Sequence, residues 1–478
     1  MLKFNRAKKT VPTVYFNIGA LMDIPTASLI EGSRGETIIN GGLGPAMAIV
    51  GAGNNYKSTI LHYCMLSAAN KVLATVDTAM QTYDTEVNIS LDRLEDLASN
   101  FEYIPEYPIT GNGIWSVVDK SLELANEWVT NLTSYIKEKA KNKKLMVDYN
   151  VFKDPYDSSK VRNLLLPTFV EIDSLTEFEP GSTVEMLSKD LDDSSTNTFA
   201  MKQSLFKSKF LSQLPRLSSI SNTYFLMTAH IGEKINMDTS PMAKYNQPTK
   251  KLQYLKGTDA IKGVSGKFFF LLNQAWYAHT ASILRNQTTK LPEYPLSSED
   301  KNGVELNSVK LTLLRNKNGQ SGITIDIIVS QSEGVLPSLT EFHFVKSNNR
   351  YGIEGSNIHY NMVLYPDCKL SRTTVRRKLE EDYKLQRAVN ITAELLQLEY
   401  YHPILARKGL LCKPEELYKD LKEMGYDWNK LLDTRGWWAI DNYSDKLKPF
   451  LSTIDLLKMR KGLYKPYWYK DKIKSKEE

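Results

Sequence analysis

One short stretch, residues 47–66, constrains the fold of this 478-residue chain more than any other. Residues 47–50 are apolar and suit a buried strand, which runs into a loop that contains Gly51 and Gly53. The loop ends in Lys57-Ser58-Thr59, and apolar residues at helical spacing follow it. Backbone N–H groups of such a loop surround phosphates, and the helix adds the partial positive charge of its N-terminus. The sequence therefore predicts a phosphate-binding loop between a strand and a helix.

The side chains of this loop suit a nucleotide. Lys57 would reach the outer phosphates, and the hydroxyl of Ser58 would ligate Mg²⁺. Tyr56 stands where a glycine usually precedes the lysine, and a plain helix start with one basic residue is the alternative interpretation. We expect the loop to bind ATP and Mg²⁺ through these residues: Gly51, Ala52, Gly53, Asn54, Asn55, Tyr56, Lys57, Ser58 and Thr59.

Two later apolar runs end in carboxylates. Residues 164–175 lead to Asp173, and residues 78–86 lead to Glu86. Ligands of open α/β sheets bind at the carboxyl ends of the strands. Asp173 would hold the water shell of Mg²⁺, and Glu86 would orient the water that attacks the γ-phosphate. Taken separately, Asp173 could be an ordinary turn aspartate and Glu86 an ordinary glutamate at a helix start. Taken together with the loop, and in this order, they predict an ATPase.

Three segments carry a family resemblance, namely residues 51–58 (Gly-Ala-Gly-Asn-Asn-Tyr-Lys-Ser), 83–86 (Tyr-Asp-Thr-Glu) and 170–175 (Val-Glu-Ile-Asp-Ser-Leu). Together they resemble the RecA-fold recombinases, most closely the UvsX type of bacteriophages. Those phage proteins also tolerate an aromatic residue before the loop lysine, as at Tyr56. The resemblance, which spans about residues 14–345, implies a RecA-like P-loop ATPase core that assembles on single-stranded DNA and pairs it with homologous duplex DNA.

The resemblance also assigns roles after a further apolar run, residues 224–228. His230 takes the position from which the family senses the γ-phosphate, although a capping histidine at a strand end is the alternative. Residues 231–254 are long and unpatterned, which suits either a functional loop or a solvated one. Lysines there would neutralise phosphates while tyrosines stack on bases. The predicted DNA-binding residues are Lys244, Tyr245, Lys250, Lys251, Tyr254 and Lys256.

Residues 309–329 alternate in polarity around Asn318-Gly319, which predicts a β-hairpin. Arg315 and Lys317 lie near its tip, and a basic, solvated hairpin is the plain interpretation. RecA-like proteins carry two basic residues at such a point, and by this resemblance both would reach the ATP of a neighbouring subunit. The hairpin also resembles that of DnaB-type ring helicases. Self-assembly is therefore predicted, and the choice between filament and closed ring stays open, as does a non-hydrolysing RecA-fold scaffold.

We expect an α/β fold in which a mostly parallel sheet carries helices on both faces. Residues 41–346 would form the ATPase core, and residues 1–40 an N-terminal segment that could link subunits. Residues 347–478 would form a smaller, mainly helical C-terminal domain with a basic tail. Within it, residues 371–377 (Ser-Arg-Thr-Thr-Val-Arg-Arg) resemble recognition helices of winged-helix regulators, which would place Arg372, Arg376 and Arg377 on DNA. The helix that should precede them is not evident in residues 360–369, and merely exposed cations in a first turn are the alternative interpretation.

Composition limits the remaining classes of protein. The net charge of +6 permits a nucleic-acid partner without demanding one. No apolar run approaches the roughly 20 residues of a membrane span, and the N-terminus lacks the apolar stretch of a secretory signal. The 3 cysteines are widely scattered, which argues against a disulfide framework or a metal cluster. We therefore expect a cytoplasmic protein, in the host cytoplasm if a phage encodes it.

Overall fold

The computed structural model describes residues 13–104, 113–181, 193–233, 259–261, 264, 268–286, 289–297 and 303–470. It shows an α/β protein with a large, mixed but mostly parallel sheet and a helical C-terminal region. The predicted fold class is confirmed at this level. None of the described helices is long and apolar enough to cross a membrane.

The elements follow one another in chain order. The strands are β1 (Ser28–Glu31), β2 (Thr37–Asn40), β3 (Ala46–Gly51), β4 (Ala79–Asp84), β5 (Trp115–Asp119), β6 (Met146–Lys153), β7 (Val161–Leu165), β8 (Thr168–Asp173), β9 (Thr223–Glu233), β10 (Asp259–Ile261), β11 (Gln274–Ala278), β12 (Ser282–Ile283), β13 (Leu306–Asn316), β14 (Thr324–Ser330), β15 (Gly334–Val335), β16 (Ile353–Gly355), β17 (Tyr360–Met362) and β18 (Tyr365–Leu370). The helices are α1 (Asp23–Thr26), α2 (Lys57–Leu73), α3 (Leu91–Ala98), α4 (Ala125–Lys141), α5 (Asp193–Ser221), α6 (Phe268–Leu271), α7 (Pro337–Ser347), α8 (Val375–Glu381), α9 (Tyr383–Tyr401), α10 (Pro403–Arg407), α11 (Pro414–Glu423), α12 (Trp428–Leu432) and α13 (Thr453–Arg460).

The main sheet has the strand order β15-β14-β13-β11-β3-β9-β8-β4-β5, with β10 beside β9 and β12 beside β13. Neighbours from β11 to β5 run parallel, whereas β13, β14 and β15 add an antiparallel hairpin and a short edge strand. In the register, Gly51 lies opposite His230, and Asp84 lies opposite Asp173. The strand ends singled out in the sequence therefore share the carboxyl edge of one sheet.

Both faces of the sheet are covered, as the alternating pattern predicts. Successive side chains of a strand point to opposite faces. Met47 and Ile49 accordingly belong to the apolar cluster that includes α2, while Ala48 and Val50 belong to a second cluster with α4 and α5. This two-sided burial explains why β3 is apolar at every position, and it gives the loop that is predicted to bind phosphate a rigid base.

The N-terminal segment and the C-terminal region both pack on the core. Phe16 stacks on Trp438 with ring centroids 5.0 Å apart, and both side chains are buried. Ile24 and Ile39 join an apolar cluster with helices of the C-terminal region. The predicted mainly helical region also contains the antiparallel sheet β16-β17-β18.

The winged-helix interpretation of Arg376 is wrong. Residues 360–370, where a preceding helix would be needed, form β17 and β18. Arg376 is only 2% exposed and pairs with carboxylates, so its guanidinium cannot reach DNA without unfolding its surroundings. A basic first turn indicates a helix start but does not show which way each side chain points.

Candidate nucleotide site

The loop between β3 and α2 is held by close backbone contacts. A Cβ atom on Gly51 would lie 2.5 Å from the carbonyl oxygen of Ala278, so this position requires glycine. Asn55 is buried, and its Nδ2 donates to the same Ala278 oxygen over 2.7 Å. The loop is thereby fixed to the neighbouring strand β11 before it enters the helix.

Lys57 lies inside the site formed by this loop. It is 6% exposed, and its Nζ donates to Asn55 Oδ1 over 3.1 Å and to the carbonyl of Ala52. Burial lowers the pKa of Lys57, while the carboxylates of Asp173 and Glu86 oppose that effect. A cation at a helix N-terminus beside two carboxylates suits a metal-bound polyphosphate, whose charge would balance the lysine.

Tyr56 adopts a left-handed backbone conformation, with φ 59° and ψ 21°. This conformation costs a residue that has a Cβ atom roughly 1–2 kcal/mol, which is why glycine is usual there. The Tyr56 ring is half-buried and packs against the apolar cluster that contains α2, and this burial offsets the backbone cost.

We expect Tyr56→Gly to be more stable than Tyr56→Ala by about 1 kcal/mol, although both remove the ring. The two variants lose the same packing, so their difference reports the left-handed backbone alone. Urea unfolding of both variants, fitted with a common slope, measures it. Equal stabilities, or a more stable alanine variant, would contradict a left-handed conformation at this residue.

The loop after β4 is shaped by Asp84. This carboxylate is 3% exposed and accepts the backbone N–H groups of Glu86, Val87, Asn88 and Ile89 at 2.9–3.0 Å. Aspartate commonly organises its own turn in this way. Asp84 thus fixes the backbone that carries Glu86, a role that sequence analysis missed although the residue lies at a predicted strand end.

Glu86 meets side chains from two other strands. Its Oε1 lies 3.2 Å from His230 Nε2 and 3.2 Å from Ser174 Oγ. Burial raises the pKa of Glu86, but the hydrogen bonds from His230 and Ser174 outweigh it, and the net pKa lies below the usual value. The carboxylate is therefore ionised near neutral pH and able to accept a hydrogen bond from water.

Asp173 is fixed at the end of β8, between β4 and β9. It is 7% exposed, and its Oδ1 accepts a hydrogen bond from the Thr228 hydroxyl. Its carbonyl accepts the N–H of Thr85 over 2.8 Å, and the N–H of Ser174, which follows a cis peptide bond, donates to Thr85 Oγ1 over 2.7 Å. The described residues contain no group of three or more His, Cys, Asp or Glu side chains that could hold a metal. Ser58 and Asp173 are the side chains that could hold Mg²⁺, which keeps several waters and takes few protein ligands.

A buried ion pair that the sequence analysis missed lies behind this site. His62 Nδ1, on the phosphate-loop helix, is 2.9 Å from Glu171 Oε1 on β8, and Thr82 on β4 donates to Glu171 Oε2 over 2.8 Å. Burial lowers the pKa of His62, but Glu171 more than compensates, so the net pKa is raised. This pair ties α2 to the strand that delivers Asp173. A glutamate inside the apolar run of residues 164–175 was its only trace in the sequence.

Arg315 and Lys317 lie at the other edge of the sheet. Arg315 is opposite Ala275, which is level with Ala48 near the start of β3. The predicted phosphate loop begins at the other end of β3, roughly 10 Å further along the strand. Lys317 is exposed, and Arg315 is half-buried, with no hydrogen-bond partner for its Nε among the described residues. Both cations therefore lie away from the end of β3 at which the predicted phosphate loop of their own chain begins.

The structure thus brings together Lys57, Asp173, Glu86 and His230, and it separates Arg315 and Lys317 from them. The predicted DNA-binding residues lie outside the described residues, as do residues 1–12 of the N-terminal segment. No family model matches the chain. No curated protein sequence matches it either.

Proposed function

We propose that this chain is an ATP- and DNA-dependent recombinase of the RecA/UvsX type. It assembles on single-stranded DNA, binds ATP and Mg²⁺ at the carboxyl edge of its sheet, and promotes pairing with homologous duplex DNA. The family assignment comes from the sequence resemblance. The contact between Glu86 and His230 is the structural observation that best supports a DNA-dependent ATPase.

This contact joins the reaction centre to the candidate DNA segment. His230 lies on β9, which continues to Glu233, and the segment with the predicted DNA-binding residues starts immediately afterwards. A γ-phosphate that competes for the Glu86–His230 hydrogen bond would therefore change the restraint on that segment. The reverse also holds, because coupling between two binding sites is reciprocal.

The other residues have distinct roles in hydrolysis. Lys57 and the N-terminus of α2 bind the phosphates, and Ser58 and Asp173 would hold Mg²⁺, which would neutralise charge that develops on the phosphate oxygens. Glu86 accepts a hydrogen bond from the attacking water, and the N–H groups fixed by Asp84 keep it in place. His230 donates to the γ-phosphate.

Arg315 and Lys317 act in trans in this proposal. Because they lie at the edge opposite the phosphate loop, head-to-tail stacking of subunits brings them to a neighbour's ATP. The same geometry suits a closed ring, so a DnaB-like helicase is the alternative. Imaging with ATP, Mg²⁺ and single-stranded DNA, followed by strand-exchange and unwinding assays, separates the two. Filaments with strand exchange support the proposal, whereas rings with unwinding activity overturn it.

The assignment of the segment after β9 makes a prediction about salt dependence. Replacing Lys250 and Lys251 by alanine should weaken binding to single-stranded DNA and reduce the slope of log Kd against log salt by about 1.4, since each phosphate contact contributes about 0.7. Fluorescence anisotropy with an oligonucleotide measures the slope. The control replaces Lys137 and Lys141, which are exposed on α4. Equal slopes in both variants would contradict the DNA role.

A further inference from the structure

The turn between β14 and β15, residues 330–334, lies beside the phosphate loop. Burial raises the pKa of the Tyr56 hydroxyl, and the neighbouring Gln331 side chain opposes that effect. A Cβ atom added to Gly334 would lie 3.7 Å from Thr59 Cγ2 at the end of the loop. Arg93 of α3 donates to the carbonyls of Gln331, over 2.8 Å, and of Ser332. At Gly334, where φ is 82°, an added Cβ would lie 2.6 Å from Leu97. The 330–334 turn therefore contacts both the phosphate loop and α3, the helix that follows the Glu86 loop.

This turn is held from its other side by Glu305. One carboxylate oxygen, Oε1, accepts hydrogen bonds from the Ser332 hydroxyl over 2.6 Å, from the Ser332 N–H over 3.4 Å, and from the Ser330 hydroxyl. Glu305 directly precedes β13, the strand that carries Arg315. The turn is thus fixed to the hairpin as well as to the phosphate loop.

The C-terminal region also contacts this turn, through the side chain of Arg376 on α8. The guanidinium lies 2.8 Å from Glu333 Oε2 and 3.9 Å from Glu305 Oε1, and its Nε lies 3.5 Å from Glu380 on the same helix. The side chain is only 2% exposed, although its partners are partly open to solvent. Burying an arginine carries a desolvation penalty, which well-placed ion pairs and hydrogen bonds must offset. The planar guanidinium then restrains the carboxylates that it contacts.

We propose that Arg376 is a positioning residue through which the C-terminal region holds the 330–334 turn against the phosphate loop and thereby sets the affinity for ATP. The inference rests on the proposed nucleotide site. Its physical basis is the set of contacts from Arg376 through Glu333 and Glu305 to the 330–334 turn, which lies against Thr59 at the end of the loop. Tyr56 needs this support more than most loop residues, because its backbone is left-handed and its ring must stay packed to offset that cost.

The coupling predicts a specific kinetic effect. Arg376→Gln should raise the KM for ATP between about 2-fold and 30-fold, the range expected for coupling through a packed network, with kcat changed less than KM. Arg376→Lys should recover part of the affinity, since it keeps the charge but loses the planar fork.

The matched control is Arg460→Gln. Arg460 also bridges two carboxylates, Glu416 and Asp420, but it lies on α13 and they lie on α11, two helices of a different apolar cluster. The Arg460→Gln variant should have a lower thermal stability but an unchanged KM for ATP.

Arg376→Gln leaves three carboxylates without their cation and could therefore fail to fold. A second variant tests the proposal in that case. Glu305→Gln keeps the arginine and loosens the turn from the other side, so it should also raise KM. When combined with Tyr56→Phe, its effect on KM should be less than additive, because both changes interrupt one route. Binding of a fluorescent ATP analogue gives the affinities directly.

The outcomes distinguish this inference from the proposed function. No ATP binding by the unmodified chain would overturn both. Binding by the unmodified chain, with the same affinity in folded Arg376→Gln and Glu305→Gln, would overturn the positioning role alone. An equal rise of KM in Arg460→Gln would also overturn it, since the effect would then follow from general destabilisation.

Discussion

Replacing Glu86 by glutamine is expected to lower kcat for ATP hydrolysis by about 10²- to 10⁴-fold, the usual contribution of general-base catalysis. ATP should still bind with an affinity within a few-fold of the original, because Lys57 and the loop are untouched. Glutamine has the size of glutamate and keeps a carbonyl oxygen for the bonds from His230 and Ser174. It cannot take a proton from water, so the chemical step alone is impaired.

Phosphate release under saturating ATP and single-stranded DNA, together with a separate binding titration, measures both quantities. Glu138→Gln is the matched control, since Glu138 is exposed on α4 and the change has the same size and charge. It should leave kcat unaltered. If Glu86→Gln turned over ATP at the wild-type rate, Glu86 would not be the general base. If the unmodified chain did not hydrolyse ATP at all, only the scaffold interpretation would remain.

The parts of the site that were predictable are those encoded locally. The strand, loop and helix around Lys57 combine apolar periodicity with a phosphate-loop pattern, and Asp173 and Glu86 follow apolar runs that end at one sheet edge. Each of these patterns fits within about a dozen residues, and the rule for open α/β sheets then places them together. The hairpin of β13 and β14 was predictable for the same reason, from alternation around an Asn-Gly turn.

The interactions between distant residues were not predictable. His62 and Glu171 are 109 positions apart, and only the packing of α2 on β8 brings them within bonding distance. Arg376 shows the same limit more plainly, because its local pattern suggested an exposed helix while its partners, Glu305 and Glu333, belong to another part of the chain. Hydrophobic periodicity predicts which face of a helix or strand is buried. It does not predict which polar residue from a distant part of the chain contacts that face.

Replacing Arg315 and Lys317 by alanine in the same chain is expected to lower DNA-stimulated ATP hydrolysis by about 10³-fold or more, the scale of a cation supplied to a phosphoryl-transfer site by a neighbour. The cis site remains complete in this variant, so ATP binding to the isolated chain should not change. The prediction depends on the register of the sheet, which places Arg315 level with Ala48 in β3, whereas the loop begins at the end of that strand.

Mixing two inactive proteins tests the trans arrangement directly. Subunits with Arg315→Ala and Lys317→Ala keep Glu86, and Glu86→Gln subunits keep both cations. In a head-to-tail assembly of equal amounts, about a quarter of the interfaces pair an intact cis site with intact cations, so activity should return to about a quarter of the unmodified level. A mixture of Glu86→Gln with Lys57→Ala is the control, because both proteins are defective in the same cis site and no hybrid interface is complete. Recovery in the first mixture only would support action in trans. If the first mixture stayed as inactive as its components while still assembling on DNA, the two cations would have no role across the interface, and the position of the hairpin at the far edge of the sheet would need a different explanation.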